Sequence, residues 1–139
     1  MQISTKFFGD IIIQEENIIY FNEGIPGLDE YKRFVILDIE DTNIKCMQSI
    51  EEREIAFLII NPWDYFKDYE IELTDEEVNY LGIKDYKDVL VYNVVTVRQN
   101  KITVNLLAPI VININNMNAK QIILNEKKYN IRQEIPCLF

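Results

Sequence analysis

The sequence predicts a mainly β fold of mostly antiparallel strands, with one or two short helices. Three observations carry this. The stretch from Val89 to Asn113 reads as long apolar runs joined by a short polar turn. Much of the remaining chain alternates polar and apolar residues in short runs bounded by Gly, Pro, Asn and Asp, the pattern of strands and turns. One stretch, Thr74 to Gly82, carries the start and stop signals of a helix.

The strand pattern is clearest in Ile102 to Asn113, ITVNLLAPIVIN. Pro109 has no N–H to give to a sheet ladder, so it belongs at an edge, a bulge or a corner. The simplest arrangement is one apolar stretch bent at Ala108–Pro109 and serving two parts of a folded-over sheet. Val89 to Arg98 reaches it through Gln99–Asn100, a tight turn because Asn tolerates positive φ. These runs are apolar on both sides, so both faces should be covered, as in a barrel or a sandwich.

The chain opens with a meander: weak alternation over Gln2–Phe8, a strand at Ile11–Ile13, a polar turn at Gln14–Asn17 and a strand at Ile18–Phe21. In Gly24-Ile25-Pro26-Gly27-Leu28, Pro26 presets φ and Gly27 permits the positive φ of a type II turn. Ile25 and Leu28 would then be either loop packing or an apolar tip for a partner. Strands follow at Arg33–Ile39 and Ile44–Ile50. A charged hairpin loop, Glu51–Glu54, leads into Ile55–Ile60, read as a central strand buried on both faces. Asn61-Pro62 starts a short helical turn, and Trp63, Tyr65 and Phe66 either close the core or form an exposed contact surface. Tyr69–Leu73 alternates as an edge strand. Thr74 and Glu77 form a capping box, Val78 and Leu81 face the core, and Gly82 suits the helix end. Gln121–Leu124 and Tyr129–Ile135 are the last extended stretches.

Length and composition narrow the function classes. The chain has 139 residues, 48% of them hydrophobic, and is expected to form one domain over 1–139. It carries a formal charge of −9, which repels nucleic acid and anionic lipid at long range. That acidity suits a basic protein partner, or serves solubility. It is concentrated: Asp68 to Asp88 holds eight acids and two bases, a segment charge of −6. The mildly basic stretch from Asn115 onward is expected to lie against it. Cys46 and Cys137 are too far apart in sequence for a metal motif and are read as buried, reduced thiols. No signal-peptide pattern opens the chain and the apolar runs are short, so a cytoplasmic setting without membrane contact is expected.

Histidine is absent, which removes His-based nucleophile arrangements and His-ligated zinc. No phosphate-binding glycine loop is present. Asp64, Asp68 and Glu70 lie close in sequence, but without ordered ligand spacing. No catalytic, metal or cofactor residues are assigned.

Taken together, Gly24–Leu28, the strand ending Met47-Gln48-Ser49, Asn61–Glu70, Val95–Asn113 and Gln121–Arg132 occur in an order that resembles the flagellar assembly factor FliW family. The resemblance covers almost the whole chain. One departure is Gln133, where the family often shows a histidine. The resemblance implies a small, non-enzymatic, mostly antiparallel β pseudobarrel with two protein partners. One is flagellin. The other is the carbon storage regulator CsrA, an RNA-binding dimer that represses flagellin translation. It implies that the free protein binds CsrA and relieves repression, and that accumulated flagellin occupies the protein and frees CsrA. The protein itself is then expected to be monomeric when free and not to bind nucleic acid.

For CsrA the expected surface is Trp63, Asp64, Tyr65, Phe66, Asp68, Glu70, Asp75, Glu76 and Glu77, where acidity meets aromatics. For flagellin it is Ile25, Pro26, Gly27 and the corner at Pro109. The competing reading is a β-barrel holding a small apolar ligand in its interior, which requires a cavity.

Overall fold

The computed structural model describes residues 1–125 and 128–136. Its strands are β1 (Gln2–Ser4), β2 (Asp10–Ile12), β3 (Ile19–Tyr20), β4 (Arg33–Asp38), β5 (Lys45–Ser49), β6 (Ala56–Ile60), β7 (Val89–Arg98), β8 (Lys101–Val104), β9 (Ile110–Asn113), β10 (Asn118–Gln121) and β11 (Gln133–Ile135). One α-helix, α1 (Asp75–Leu81), and three single 3₁₀ turns complete the described elements. Cys137 lies outside the described residues; Cys46 is fully buried.

β3 through β7 form an antiparallel run in which each strand pairs with the next. The run closes because β7 also pairs with β9, β9 with β10, and β10 in parallel with β3 through Asn118 and Tyr20. The result is a closed ring of seven strands. β7 makes closure possible by pairing twice along one edge. Its Val89–Tyr92 half meets β9 and its Val95–Arg98 half meets β8. The bent stretch expected at Ala108–Pro109 therefore does serve two parts of the sheet. The β7–β8 hairpin turns at Gln99 (φ 49°) and Asn100 (φ 67°), the two positive φ values of a type I′ turn.

Alternation sorts the apolar residues into three clusters. Each barrel strand sends inward at least one of Ile19, Phe34, Met47, Ile59, Tyr92, Ile112 and Ala119, and these pack together with Phe21, Ile25 and Ile110. Outside the barrel, Ile60, Val91, Val95, Val104, Leu106 and Val111 meet the 62–88 connection and the C-terminal stretch. On the opposite flank Ile3, Ile13 and Ile18 of the opening hairpin region pack on Val35.

Several sequence expectations need correction. β6 is fully buried only at Ile59 and Ile60, while Ala56, Phe57 and Leu58 remain partly exposed. Tyr69–Leu73 alternates in burial as an edge strand would, but joins no ladder. The last part of the β7–β8 hairpin is uncovered, with Val97 55% exposed. The strand expected at Gln121–Leu124 instead occupies Asn118–Gln121. Past Gln121 only single bonds continue, from the Ile122 N–H to the Pro109 carbonyl and from the Leu124 N–H to the Leu107 carbonyl. Pro109 has no N–H to return, so the regular ladder stops there.

The inner cluster sets the expected stability pattern. Phe34, fully buried and edge-on to Phe21 at 5.4 Å, should cost about 3–5 kcal/mol when replaced by alanine. Ile123, 67% exposed, should change stability by less than about 0.5 kcal/mol. Urea unfolding of the two variants measures both, and equal losses would contradict the assignment of the barrel interior.

Candidate partner-binding surface

The connection between β6 and β7 begins with a local helical start. The Asn61 side chain accepts a hydrogen bond from the Trp63 N–H at 3.0 Å and Pro62 occupies the first position of the turn. Trp63 Nε1 then donates to the Tyr69 carbonyl at 2.7 Å, with the two rings 6.0 Å apart. Tyr69 anchors the connection: its hydroxyl donates to the Leu106 carbonyl at 2.6 Å and accepts from Asn93 Nδ2 at 3.2 Å. The Tyr129 ring packs tilted against it at 4.7 Å, and the Tyr129 hydroxyl accepts the Glu70 N–H at 2.7 Å. Burial is the main cause that pushes the Tyr69 phenol up to about 12, opposed by the Asn93 hydrogen bond and reinforced by Tyr129.

Alternation after Tyr69 splits polar from apolar. Ile71 and Leu73 pack against the outer cluster, while Glu70 and Glu72 point to solvent. Thr74 then caps α1: its hydroxyl accepts the Glu77 N–H at 3.1 Å, and the Glu77 carboxylate accepts the Thr74 N–H at 2.9 Å. Gly82 (φ 68°) ends the helix in the left-handed conformation. The side chains of Asn113 and Asn116 both donate to the Leu81 carbonyl, each at 2.9 Å, tying α1 to the end of β9. Leu81 is buried and Val78 half-buried.

Of the acids expected to meet a partner, Asp64, Asp68, Glu70, Asp75 and Glu76 are exposed. Glu77 is half-buried and engaged in the cap. Among the described residues, none of the eight acids from Asp68 to Asp88 closes an ion pair. Among the described residues the basic C-terminal stretch closes no ion pair with them, contrary to expectation; Lys127 lies outside those residues. Lys120 pairs with Glu23 at 3.3 Å, and Arg132 lines a different groove; of the residues described, only Lys128 shares an open cleft with Asp68. Trp63 is 39% exposed, whereas Tyr65 and Phe66 are half-buried against the outer cluster. The aromatic turn thus divides its residues between closing the core and facing solvent.

The other expected surface is smaller than the sequence suggested. Gly27 (φ 85°) and the bond from the Leu28 N–H to the Ile25 carbonyl at 2.7 Å form the expected turn. Ile25 itself is buried in the same cluster as Ile110, and Pro109 is buried too. The Ile25 side chain helps fill the interior, which leaves only Pro26 and Gly27 exposed at that tip.

Sequence reasoning missed an apolar barrel mouth lined by Ile36, Lys45, Leu90, Tyr92, Ile114 and Met117. The double-sided apolarity of β7 was its signal. The recess measures about 220 Å³, below the ~300 Å³ at which small-molecule sites begin. Beneath it Phe34, Met47 and Ile112 fill the interior, so the geometry does not favour an apolar-ligand carrier. Among the described residues no group of three or more Cys, Asp or Glu is placed to hold a metal ion, and no helix is long and apolar enough to cross a membrane.

Comparison with known proteins agrees with this architecture. The sequence model described as FliW protein matches residues 2–135. The flagellar assembly factor FliW of Clostridium novyi (strain NT) is 46% identical over 138 residues, covering 97% of this chain and 96% of the relative. That of Clostridium botulinum (strain Langeland / NCTC 10281 / Type F) is 44% identical with the same coverage. A crystal structure of the flagellar assembly factor FliW superposes with a TM-score of 0.92 at 41% identity, covering 96% of each chain.

Burial of Tyr69 and of Cys46, whose thiol burial pushes up to about 11, predicts an alkaline limit. Both groups are held neutral in the folded state. Their contribution is therefore complete below their ordinary values of 10.0 and 9.0 and is lost as pH rises toward about 12 and about 11. Stability should fall between about pH 9 and 12 in pH-stepped thermal melts. Tyr69→Phe should lower stability near neutrality by about 1–3 kcal/mol, because the Leu106 carbonyl loses its donor, and should flatten the upper part of that decline. An unchanged profile would contradict the role given to Tyr69.

Proposed function

The chain belongs to the FliW family of flagellar assembly factors, and from that membership we propose that it is a cytoplasmic, non-enzymatic adaptor that binds the translational repressor CsrA and, alternately, flagellin. Bound to this protein, CsrA releases its repression of flagellin translation. When flagellin accumulates it occupies the protein and CsrA is free again. The observation that carries the reading, beside the family match, is the negative surface from Asp64 to Glu76, whose carboxylates close no ion pair among the described residues.

An RNA-binding regulator presents basic groups. A surface of like-signed, exposed carboxylates on a rigid support accelerates encounter with such a partner and repels the RNA that competes for it. Trp63 supplies an aromatic contact at the border of that surface, of the kind that anchors interfaces. Folding fixes the surface through Tyr69, α1 and its two caps, so binding need not order the segment first. For flagellin, the accessible part of the expected surface is the tip at Pro26–Gly27. Free of both partners, the protein is proposed to be a monomer.

Charge reversal tests the CsrA surface. Asp75→Lys with Glu76→Lys leaves the capping pair Thr74–Glu77 in place, so the melting curve should stay within a few degrees of the parent. Affinity for purified CsrA should fall by about tenfold or more at low salt, and its salt dependence should flatten. Unchanged affinity at low salt would remove this surface. Pro26→Asp should weaken flagellin binding while leaving CsrA binding alone; normal flagellin binding by the folded variant would remove the tip.

A further inference from the structure

The net acidity of the chain makes one face anomalous. Beyond the barrel the interior side of β7 continues from Tyr92 and Val94 to Thr96 and Arg98, which turn into an open groove. Lys101 and Thr103 of β8, and Arg132 and Glu134 from the C-terminal stretch, complete it. Three cations thus share a groove with one carboxylate, in a chain with 23 acids against 14 bases.

This arrangement works against stability. Arg98 and Lys101 are direct cross-strand partners, held opposite each other by the turn at Gln99 and Asn100. Like charges placed so are destabilising. Glu134 relieves only Lys101, through an exposed pair at 3.4 Å, and such pairs contribute little. Arg98 and Arg132 close no ion pair among the described residues. Thr96 and Thr103, themselves cross-strand partners, add hydroxyls to the same face.

We propose that this groove is a second docking surface and that its occupant is an acidic segment of a protein partner, laid across β7, β8 and β11. The proposal rests on the adaptor reading and deepens it by separating two partner faces by the sign of their charge. Guanidinium groups take carboxylates in two-pronged geometry, and the flanking threonines donate to the same groups. Nucleic acid is the other polyanion of suitable chemistry. A chain of −9 with a −6 segment repels a long, uniformly charged strand far more than a short segment carrying a few carboxylates. A basic partner on the 64–76 surface and an acidic segment here would share no contact residue, so any mutual exclusion between them would have to pass through coupling between sites.

The test uses the whole chain and three fluorescein-labelled probes at low salt: a twelve-residue peptide of alternating Glu and Thr, its Lys/Thr counterpart, and a twelve-nucleotide single-stranded RNA. The Glu peptide should bind, shift the amide resonances of Thr96 and Thr103, and weaken about tenfold or more in Arg98→Glu with Arg132→Glu. Arg98→Glu alone converts the repulsive cross-strand pair into an attractive one and should raise the melting temperature by about one or two degrees. The double variant should melt within a few degrees of the parent, so that loss of binding is not read as unfolding. Absence of Glu-peptide binding, unchanged binding in the double variant, or tighter RNA binding through the same resonances would each overturn the proposal. The Asp75→Lys, Glu76→Lys titration against CsrA involves none of these residues, so failure of either surface leaves the other standing.

Discussion

Along one edge of β7, Asn93 and Val94 face the five residues 105–109, because Val95 pairs with Val104 while Tyr92 pairs with Ile110. Such a surplus must bulge outward, and a bulge in a buried sheet strands backbone polar groups that have to find partners. Here they do. The Asn105 N–H donates to the Val94 carbonyl at 3.0 Å, and the Asn105 side chain accepts the Ala108 N–H at 3.1 Å. Asn93 Nδ2 donates to the Asn105 carbonyl at 2.8 Å, and Tyr69 satisfies the Leu106 carbonyl. Asn93 is completely buried. Without this node, β8 and β9 could not both lie on the same edge and the barrel would have no closing strand.

The node also connects architecture to surface. Tyr69, which satisfies the bulge, belongs to the connection that carries the acids, so the demand of the sheet for a donor fixes where the negative surface begins. Asn113 and Asn116 do the same at its far side by holding the last carbonyl of α1. Along this segment Glu77 serves the helix cap and Asp85 accepts the Lys87 N–H, while among the described residues none of the acids closes an ion pair. Their mutual repulsion is tolerated because the apolar side of the same segment is anchored, with Leu81 buried and Ile71 and Leu73 half-buried against the outer cluster. A surface supported in this way is pre-organised, which lowers the ordering cost of binding.

Much of this was legible in the sequence where the determinant was local. The I′ turn, the proline-led 3₁₀ turn, the capping box and the type II turn at Ile25–Leu28 each depend on two to four neighbouring residues, and each formed as expected. What the sequence could not disclose depends on distant partners. Closure joins Asn118 to Tyr20, across most of the chain. Tyr69–Leu73 has strand periodicity yet joins no ladder, and at its start the Trp63 and Tyr129 side chains bind the Tyr69 carbonyl and the Glu70 N–H. β10 ends at Gln121, three residues earlier than expected, because Pro109, opposite Ile122, cannot return a hydrogen bond. Ile25 and Pro109 read as exposed corners, but Ile25 packs into the barrel interior and Pro109 is buried, and burial there is set by the barrel rather than by local pattern. The acidity was countable; that none of it closes an ion pair among the described residues was not.

In the proposed role, one rigid chain binds a basic regulator and gives it up to flagellin. Titration calorimetry of the unmodified protein into purified CsrA, repeated after saturation with flagellin, addresses it most directly. The account predicts tight, salt-sensitive binding in the first titration and its loss in the second. Absence of heat with CsrA at low salt, or identical CsrA isotherms with and without flagellin, would contradict it.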